Sequence, residues 1–236
     1  MLIFYNEEQI KPFDMHTIGL LFFLQTIFNI PVPEGFRRVE ADGFGDYLRK
    51  IRLKKDNVVY LYNGQKKRNQ NAQYAVLDIS VGEKDLQQCA DAAMRLRAEY
   101  LFKSGQHDKI VFKSVNGNSI SFKKPFEYWH LMKHMEVVYG ACNSWSLERD
   151  LISKQLKDVR PGDLLIKGGF PGHVVIVMDV AINKSGEKVF MIAQSYMPAQ
   201  DIHVLKGPIG GAWYPVTEGE IVTPEWIFRS DQLKGW

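Results

Sequence analysis

The sequence predicts an α+β fold, with helices first and an antiparallel sheet after them. Three observations predict it. Apolar residues recur at helical spacing between Asp85 and Leu156. Apolar, β-branched runs fill Asp163 to Leu205. Turn signals such as Pro161-Gly162-Asp163 and Asn183-Lys184-Ser185-Gly186 separate those runs. Helices and strands segregated along a chain point to α+β layering, with helices on a sheet.

Residues 1–30 read as an apolar leader, either a degraded export signal or a packed N-terminal helix. Ile18 to Ile30 is rich in Leu, Phe and Ile, but about 13 residues are too few to span a bilayer. Glu7, Glu8 and Asp14 stand where a signal peptide carries positive charge. Residues 31–80 read as an N-terminal extension of short strands. Asp46 to Ile51 is a short helical stretch within it, and Asn57 to Tyr62 reads as a strand, with Ala75 to Ile79 as its partner or neighbour. Residues 81–236 form the main domain.

The main domain opens with the longest helix, expected over Asp85 to Lys103. Asp85 is its capping carboxylate, and Leu86, Cys89, Ala90, Ala93, Leu96 and Tyr100 form its stripe. Ile110 to Phe122 reads as a hairpin turning at Asn116-Gly117. Helices are expected over Phe126 to Val138 and Ser146 to Leu156. Strands follow at Asp163–Lys167, His173–Ala181, Val189–Gln194 and Asp201–Leu205. The aromatic end of the chain, with Trp213, Tyr214, Trp226, Phe228 and Trp236, is expected to pack over the sheet.

Composition narrows the function. An apolar fraction of 45% with 24% charged residues suits a globular protein with a sizeable core. A net charge of +3 is too small to point to nucleic acid. The run Gln65-Lys66-Lys67-Arg68 beside Asn63-Gly64 reads as a solvated turn. Two cysteines, Cys89 and Cys142, make neither a disulfide scaffold nor a CxxC site. They form one disulfide or stay as two free thiols.

Three residues carry the chemistry. Cys89 lies near the start of the long helix, where N–H groups favour a thiolate and lower its pKa. His173 opens an apolar strand beside the Gly168-Gly169-Phe170-Pro171-Gly172 loop, a rigid seat with one open side for a base. Gln194 ends the next strand on the same face. A hairpin centred on Ser185-Gly186 sets Gln194 opposite Val177, so contact with His173 needs a slip of about four residues. Nucleophile, base and orienting amide make the set that thiol hydrolases use.

The helix-borne cysteine, the Pro161-Gly162-Asp163 turn and Gly172-His173-Val174 opening a strand resemble the papain-like cell-wall hydrolases of the NlpC and CHAP type. That resemblance covers roughly residues 82–205. It implies a papain-like fold, with Cys89 as nucleophile, His173 as base and Gln194 as orienter. It further implies a peptide or peptidoglycan-like substrate, no cofactor, and a periplasmic or cell-envelope location. Asp85-Leu86-Gln87-Gln88-Cys89-Ala90-Asp91 and Ala193-Gln194-Ser195-Tyr196-Met197-Pro198-Ala199-Gln200 also resemble an uncharacterised family of Bacteroidetes proteins, labelled a domain of unknown function. Gln88 and Ala90 flank the cysteine where the hydrolases often carry Asp-Cys-Ser. That difference keeps open a non-catalytic binding module, or a structural envelope protein, on the same fold.

Other candidates are weaker. His130 and His134, with Glu127, lie on one helical face but lack HExxH, so they read as a helix face rather than a metal site. His203, on a strand, is an alternative to Gln194. Arg95 and Glu99 read as a surface i,i+4 pair. Trp145, Trp213 and Tyr196 read as core residues before cleft residues. Gln88 is a candidate helper of the oxyanion site.

Overall fold

A computed structural model describes residues 25–208 and 210–236. The expectations for residues 1–24, including most of the apolar leader, lie outside them. The strands and helices in chain order are β1 (Phe36–Arg38), α1 (Gly43–Arg49), β2 (Gln73–Val76), α2 (Cys89–Lys103), β3 (Val111–Lys113), β4 (Ser119–Ser121), α3 (Tyr128–Ala141) and α4 (Ser144–Asp150). After α4 come β5 (Ile152–Ser153), β6 (Leu164–Lys167), β7 (His173–Asn183), β8 (Lys188–Gln194), β9 (His203–Leu205), β10 (Trp213–Pro215), β11 (Glu220–Val222), β12 (Ile227–Arg229) and β13 (Leu233–Gly235). This is a mixed α+β fold on an antiparallel sheet.

The sheet runs β2-β9-β8-β7-β6-β13-β5, with β1 also on β7 and β10 also on β8. Strand β7 is its centre. Nine of its eleven residues are buried, which explains the continuous apolar run. Val174, Ile176 and Met178 face α2, in the larger core cluster. Val175 and Val177 face Tyr214 and Phe228, in a second cluster on the other side. Each such side chain, fully buried, contributes about 1.5–3 kcal/mol. Helix α2 is buried on nearly every side from Ala90 to Leu96. Its alanines let the backbone approach the sheet. It ends at Ser104, and Gly105 takes the left-handed φ of 70° that closes many helices.

Several expectations change. The 31–80 segment is woven into the sheet through β1 on β7 and β2 on β9. Asn57 to Tyr62 forms no strand; it makes isolated bridges, and β2 pairs with β9 instead. The helix expected over Ser146 to Leu156 is the shorter α4, capped by Asn143, whose Oδ1 accepts from the Ser146 N–H at 3.0 Å. The aromatic end does not merely cover the sheet, because β10 and β13 extend it.

The fold buries two charge clusters. Asp179, fully buried, binds Arg49 Nη2 at 2.6 Å and Arg38 Nε at 2.5 Å. A bulge after Val177 turns Asp179 to the helical face of the sheet. Arg95 and Glu99, expected at the surface, are 6% and 5% exposed. Glu99 also accepts from the Tyr47 and Tyr128 hydroxyls at 3.1 and 3.0 Å. Packing of α2 on both sides overrides the surface reading of the i,i+4 pair.

Candidate active site

Helix α2 begins at Cys89, four residues later than the sequence suggested. Gln88, not Asp85, is its N-cap residue, and the Asp91 Oδ2 accepts the Gln88 N–H at 3.0 Å. Asp85 is occupied elsewhere, accepting from the Ala199 N–H at 2.7 Å and from Gln88 Nε2 at 3.2 Å. The Gln88 amide nitrogen thus gives one of its two hydrogens to Asp85, and Gln88 still lines the cleft. Just past β8, the Ser195 hydroxyl lies 3.0 Å from the Gln87 carbonyl and 2.8 Å from the Gln200 carbonyl, sharing its hydrogen between them. Arg95 holds the Gln87 side chain. These contacts pin the turn that places the thiol on the first helical residue.

His173 is the first residue of β7 and only 2% exposed. A Cβ on Gly172 would strike Ser144 Oγ, the Gly169 carbonyl at 2.5 Å and the Lys167 carbonyl at 2.7 Å. Only glycine fits there, which fixes the approach of the loop to His173. The imidazole packs against Tyr196, Trp226 and Phe228, with ring centres 4.6, 5.2 and 5.8 Å away.

Gln194 meets this ring. His173 Nε2 and Gln194 Oε1 are 2.7 Å apart. The slip of four residues is unnecessary. Strands β7 and β8 pair Ile182 with Lys188 near the hairpin, and the bulge leaves Ile176 opposite Ala193. Continued one step, that register sets Gln194 opposite Val175, with His173 as its diagonal neighbour on the same face, within reach of two long side chains.

Cys89 and His173 line one cleft of about 340 Å³, with Phe170, Gly172, Tyr196 and Trp226 among its walls. The Val174 backbone N–H is near enough to the Cys89 sulfur to favour its thiolate, so the residue after His173 faces the thiol. Among the described residues no hydrogen bond joins the sulfur to the imidazole. Cys142 is unpaired, as is Cys89. It follows α3 immediately and lines the same cleft.

The electrostatics invert one expectation. Burial, then the Asp91 carboxylate, pushes the Cys89 thiol up to about 11, against the N–H groups of Val174, Ala90 and Cys89 itself. The helix N-terminus does not win, because desolvation of an anion outweighs it. Burial pushes His173 down to about 4, opposed by its bond to Gln194. Burial raises Asp91 to about 7. Among the described residues its Oδ1 has no partner.

Behind Gln194 lies a polar cluster that the sequence did not reveal. Gln194 Nε2 donates to Glu225 Oε2 at 2.7 Å. Lys67 Nζ reaches the same oxygen at 2.5 Å, and Asn69 Nδ2 donates to Glu225 Oε1 at 3.1 Å. Lys67, from the run read as a solvated turn, is 8% exposed. His203 is adjacent rather than a replacement for Gln194. Its Nε2 lies 3.4 Å from both Gln194 Nε2 and Lys67 Nζ, while its Nδ1 bonds the Asp201 carbonyl at 2.8 Å. The only sequence signal was a charged residue beside an aromatic one in the Thr223-Pro224-Glu225-Trp226 turn.

The other candidates separate. His130 Nδ1 meets the Pro125 carbonyl at 2.7 Å, and both His130 and His134 pack on Phe122. Among the described residues no cluster of His, Cys, Asp and Glu could hold a metal. Tyr196 lines the cleft, whereas Trp213 is buried by β8 and donates to the Pro31 carbonyl at 2.7 Å. Trp145 is 41% exposed under the Arg149 guanidinium. Among the described residues no helix is long and apolar enough to cross a membrane.

A family model described as "Domain of unknown function (4846)" matches residues 27–128 and 123–235. No curated protein and no solved structure matches.

Proposed function

We propose that this chain, which belongs to that family of unknown function, is a papain-like thiol hydrolase of amide bonds, acting on peptide or peptidoglycan-like substrates in the cell envelope. The observation that carries the reading is the His173 Nε2–Gln194 Oε1 bond of 2.7 Å in a cleft that also holds Cys89. An imidazole held through one nitrogen keeps the other free for proton transfer.

In this reading the Cys89 sulfur attacks the amide carbonyl while His173 Nδ1 takes the thiol proton. The tetrahedral oxyanion is met by backbone N–H groups at the start of α2. Collapse breaks the C–N bond, and His173 gives its proton to the leaving amine. Water then attacks the thioester, His173 takes a proton from it, and the acid leaves as the sulfur recovers its hydrogen.

The test is a screen of stem-peptide amides by mass spectrometry with wild type and Cys89→Ala. Expected is cleavage by the wild type alone, with an acyl adduct on Cys89 in rapid quench. Equal cleavage by Cys89→Ala would end the reading.

A second reading, a non-catalytic binding module, is favoured by one observation. The resting thiol, pushed up to about 11, and the imidazole, pushed down to about 4, are both neutral. It expects peptide binding without turnover, equal in wild type and Cys89→Ser.

A further inference from the structure

We propose that Glu225 is a positioning residue of this site: it fixes the orientation of the Gln194 amide and thereby commits the His173 proton to Nε2, leaving Nδ1 as the base. The proposal rests on the thiol-hydrolase reading for its catalytic meaning but not for its geometry.

The reasoning is a donor and acceptor count. A side-chain amide offers two donors on nitrogen and only acceptors on oxygen. Its orientation is assigned from its partners. A carboxylate can only accept. Glu225 Oε2, 2.7 Å from one end of the Gln194 amide, therefore requires nitrogen there. The other end is then oxygen, and it lies 2.7 Å from His173 Nε2. An oxygen acceptor requires a hydrogen on Nε2. With one proton on a neutral ring, Nδ1 carries the lone pair.

Glu225 is itself held. Lys67 and Asn69 each donate to one of its oxygens. The next residue, Trp226, packs on the His173 ring. The 223–226 turn, closed by Thr223 Oγ1 accepting from the Trp226 N–H at 2.9 Å, thus supports the imidazole in two ways. His203 Nε2 is a second acceptor for the Gln194 nitrogen, but at 3.4 Å, and it also faces Lys67. Without Glu225, the Lys67 ammonium has His203 Nε2 as its remaining hydrogen-bond partner and competes for it. Gln194 is then free to turn over and present nitrogen to His173, which would require the opposite tautomer.

The experiment is nitrogen NMR of histidine-labelled protein at pH 7, which reports the tautomer of each ring without any substrate. Wild type and Glu225→Gln should show His173 as a single Nε2–H tautomer, because Lys67 still needs an oxygen at that place. Glu225→Ala should show both tautomers. That variant strands a buried ammonium, so Lys67→Met/His203→Phe/Glu225→Leu, which replaces the cluster with apolar side chains, is measured beside it and should also show both. Native circular dichroism checks each fold. A single Nε2–H tautomer in Glu225→Ala and in the triple variant, in whichever of the two folds, would overturn the proposal. Should wild type prove inactive on all peptides, the hydrolase reading fails while the tautomer result still decides the role of Glu225. Where turnover is measurable, Glu225→Ala should lower kcat at least tenfold, with KM within twofold, and Glu225→Gln should restore it.

Discussion

Replacing Asp91 by asparagine should change the pH dependence of stability and the reactivity of Cys89 together. Asp91 is 6% exposed, one oxygen caps α2, and the other has no partner among the described residues. Burial raises its carboxyl from an ordinary 3.8 to about 7. Between those values the folded chain holds a proton that the unfolded chain has released. Stability therefore falls as pH rises from about 4 to about 7, and the loss is complete above that. At about 1.4 kcal/mol per pH unit, the interval comes to about 4 kcal/mol. An asparagine side chain cannot ionise, yet its oxygen can still accept the Gln88 N–H and keep the cap. Urea unfolding of both proteins at each half unit from pH 4 to 8 measures the difference. Asp91→Asn should gain on wild type progressively, by a few kcal/mol at pH 8. Its thiol should also alkylate several-fold faster at pH 8, since the Asp91 carboxylate is the second force holding that thiol protonated. Parallel stability curves over the whole range would refute the reasoning.

Other outcomes follow from the same geometry. On a cleavable peptide amide, His173→Ala should cost about 10²–10⁴-fold in kcat and Gln194→Ala less, both with native circular dichroism. In wild type, Cys89 should react slowly with iodoacetamide at pH 7 and accelerate up to about pH 11, resolved from Cys142 by peptide mapping; a plateau reached below pH 8 would contradict the burial of the thiol. Asp179→Ala should destabilise by about 3–5 kcal/mol in urea, because it leaves Arg38 and Arg49 without their buried partner. Gly172→Ala should cost about 1–3 kcal/mol and displace the His173 loop, visible as altered histidine NMR shifts.

Much of this arrangement was legible because it depends on local pattern. His173 at a strand start, Gln194 at the next strand's end and their shared face follow from the period of two and survive any even register shift. The distance between them was not legible. A bulge beside Asp179 and a diagonal contact decide it, and neither leaves a mark in apolar alternation. The start of α2 was misplaced because Asp85 has the right chemistry for a cap, but tertiary contact with Ala199 uses it. Lys67 shows the limit most clearly. A lysine in a basic run beside Asn-Gly has every local reason to be solvated, and partners far along the chain, Glu225 first and His203 after it, give it cause to be buried.

The thiol shows how magnitude, rather than pattern, decides a site. A helix N-terminus is worth about 0.3–1 kcal/mol at the surface and about 2 kcal/mol in favourable buried geometry. Desolvating an ionised group shifts its titration by as much as about 3–5 pH units. In this cleft, where Cys89 is only partly exposed, the second term wins, and Cys89 rests as a thiol. His173 rests as a neutral imidazole for the same reason. A preformed thiolate–imidazolium pair is thus not the resting state of this site. Attack, if Cys89 performs it, must proceed with proton transfer to Nδ1 as the carbon–sulfur bond forms. Ligand entry would have to bring sulfur and imidazole together, since no hydrogen bond joins them among the described residues. The orientation of the His173 ring, set by Gln194 from behind, then matters more than the resting charge of the sulfur in front.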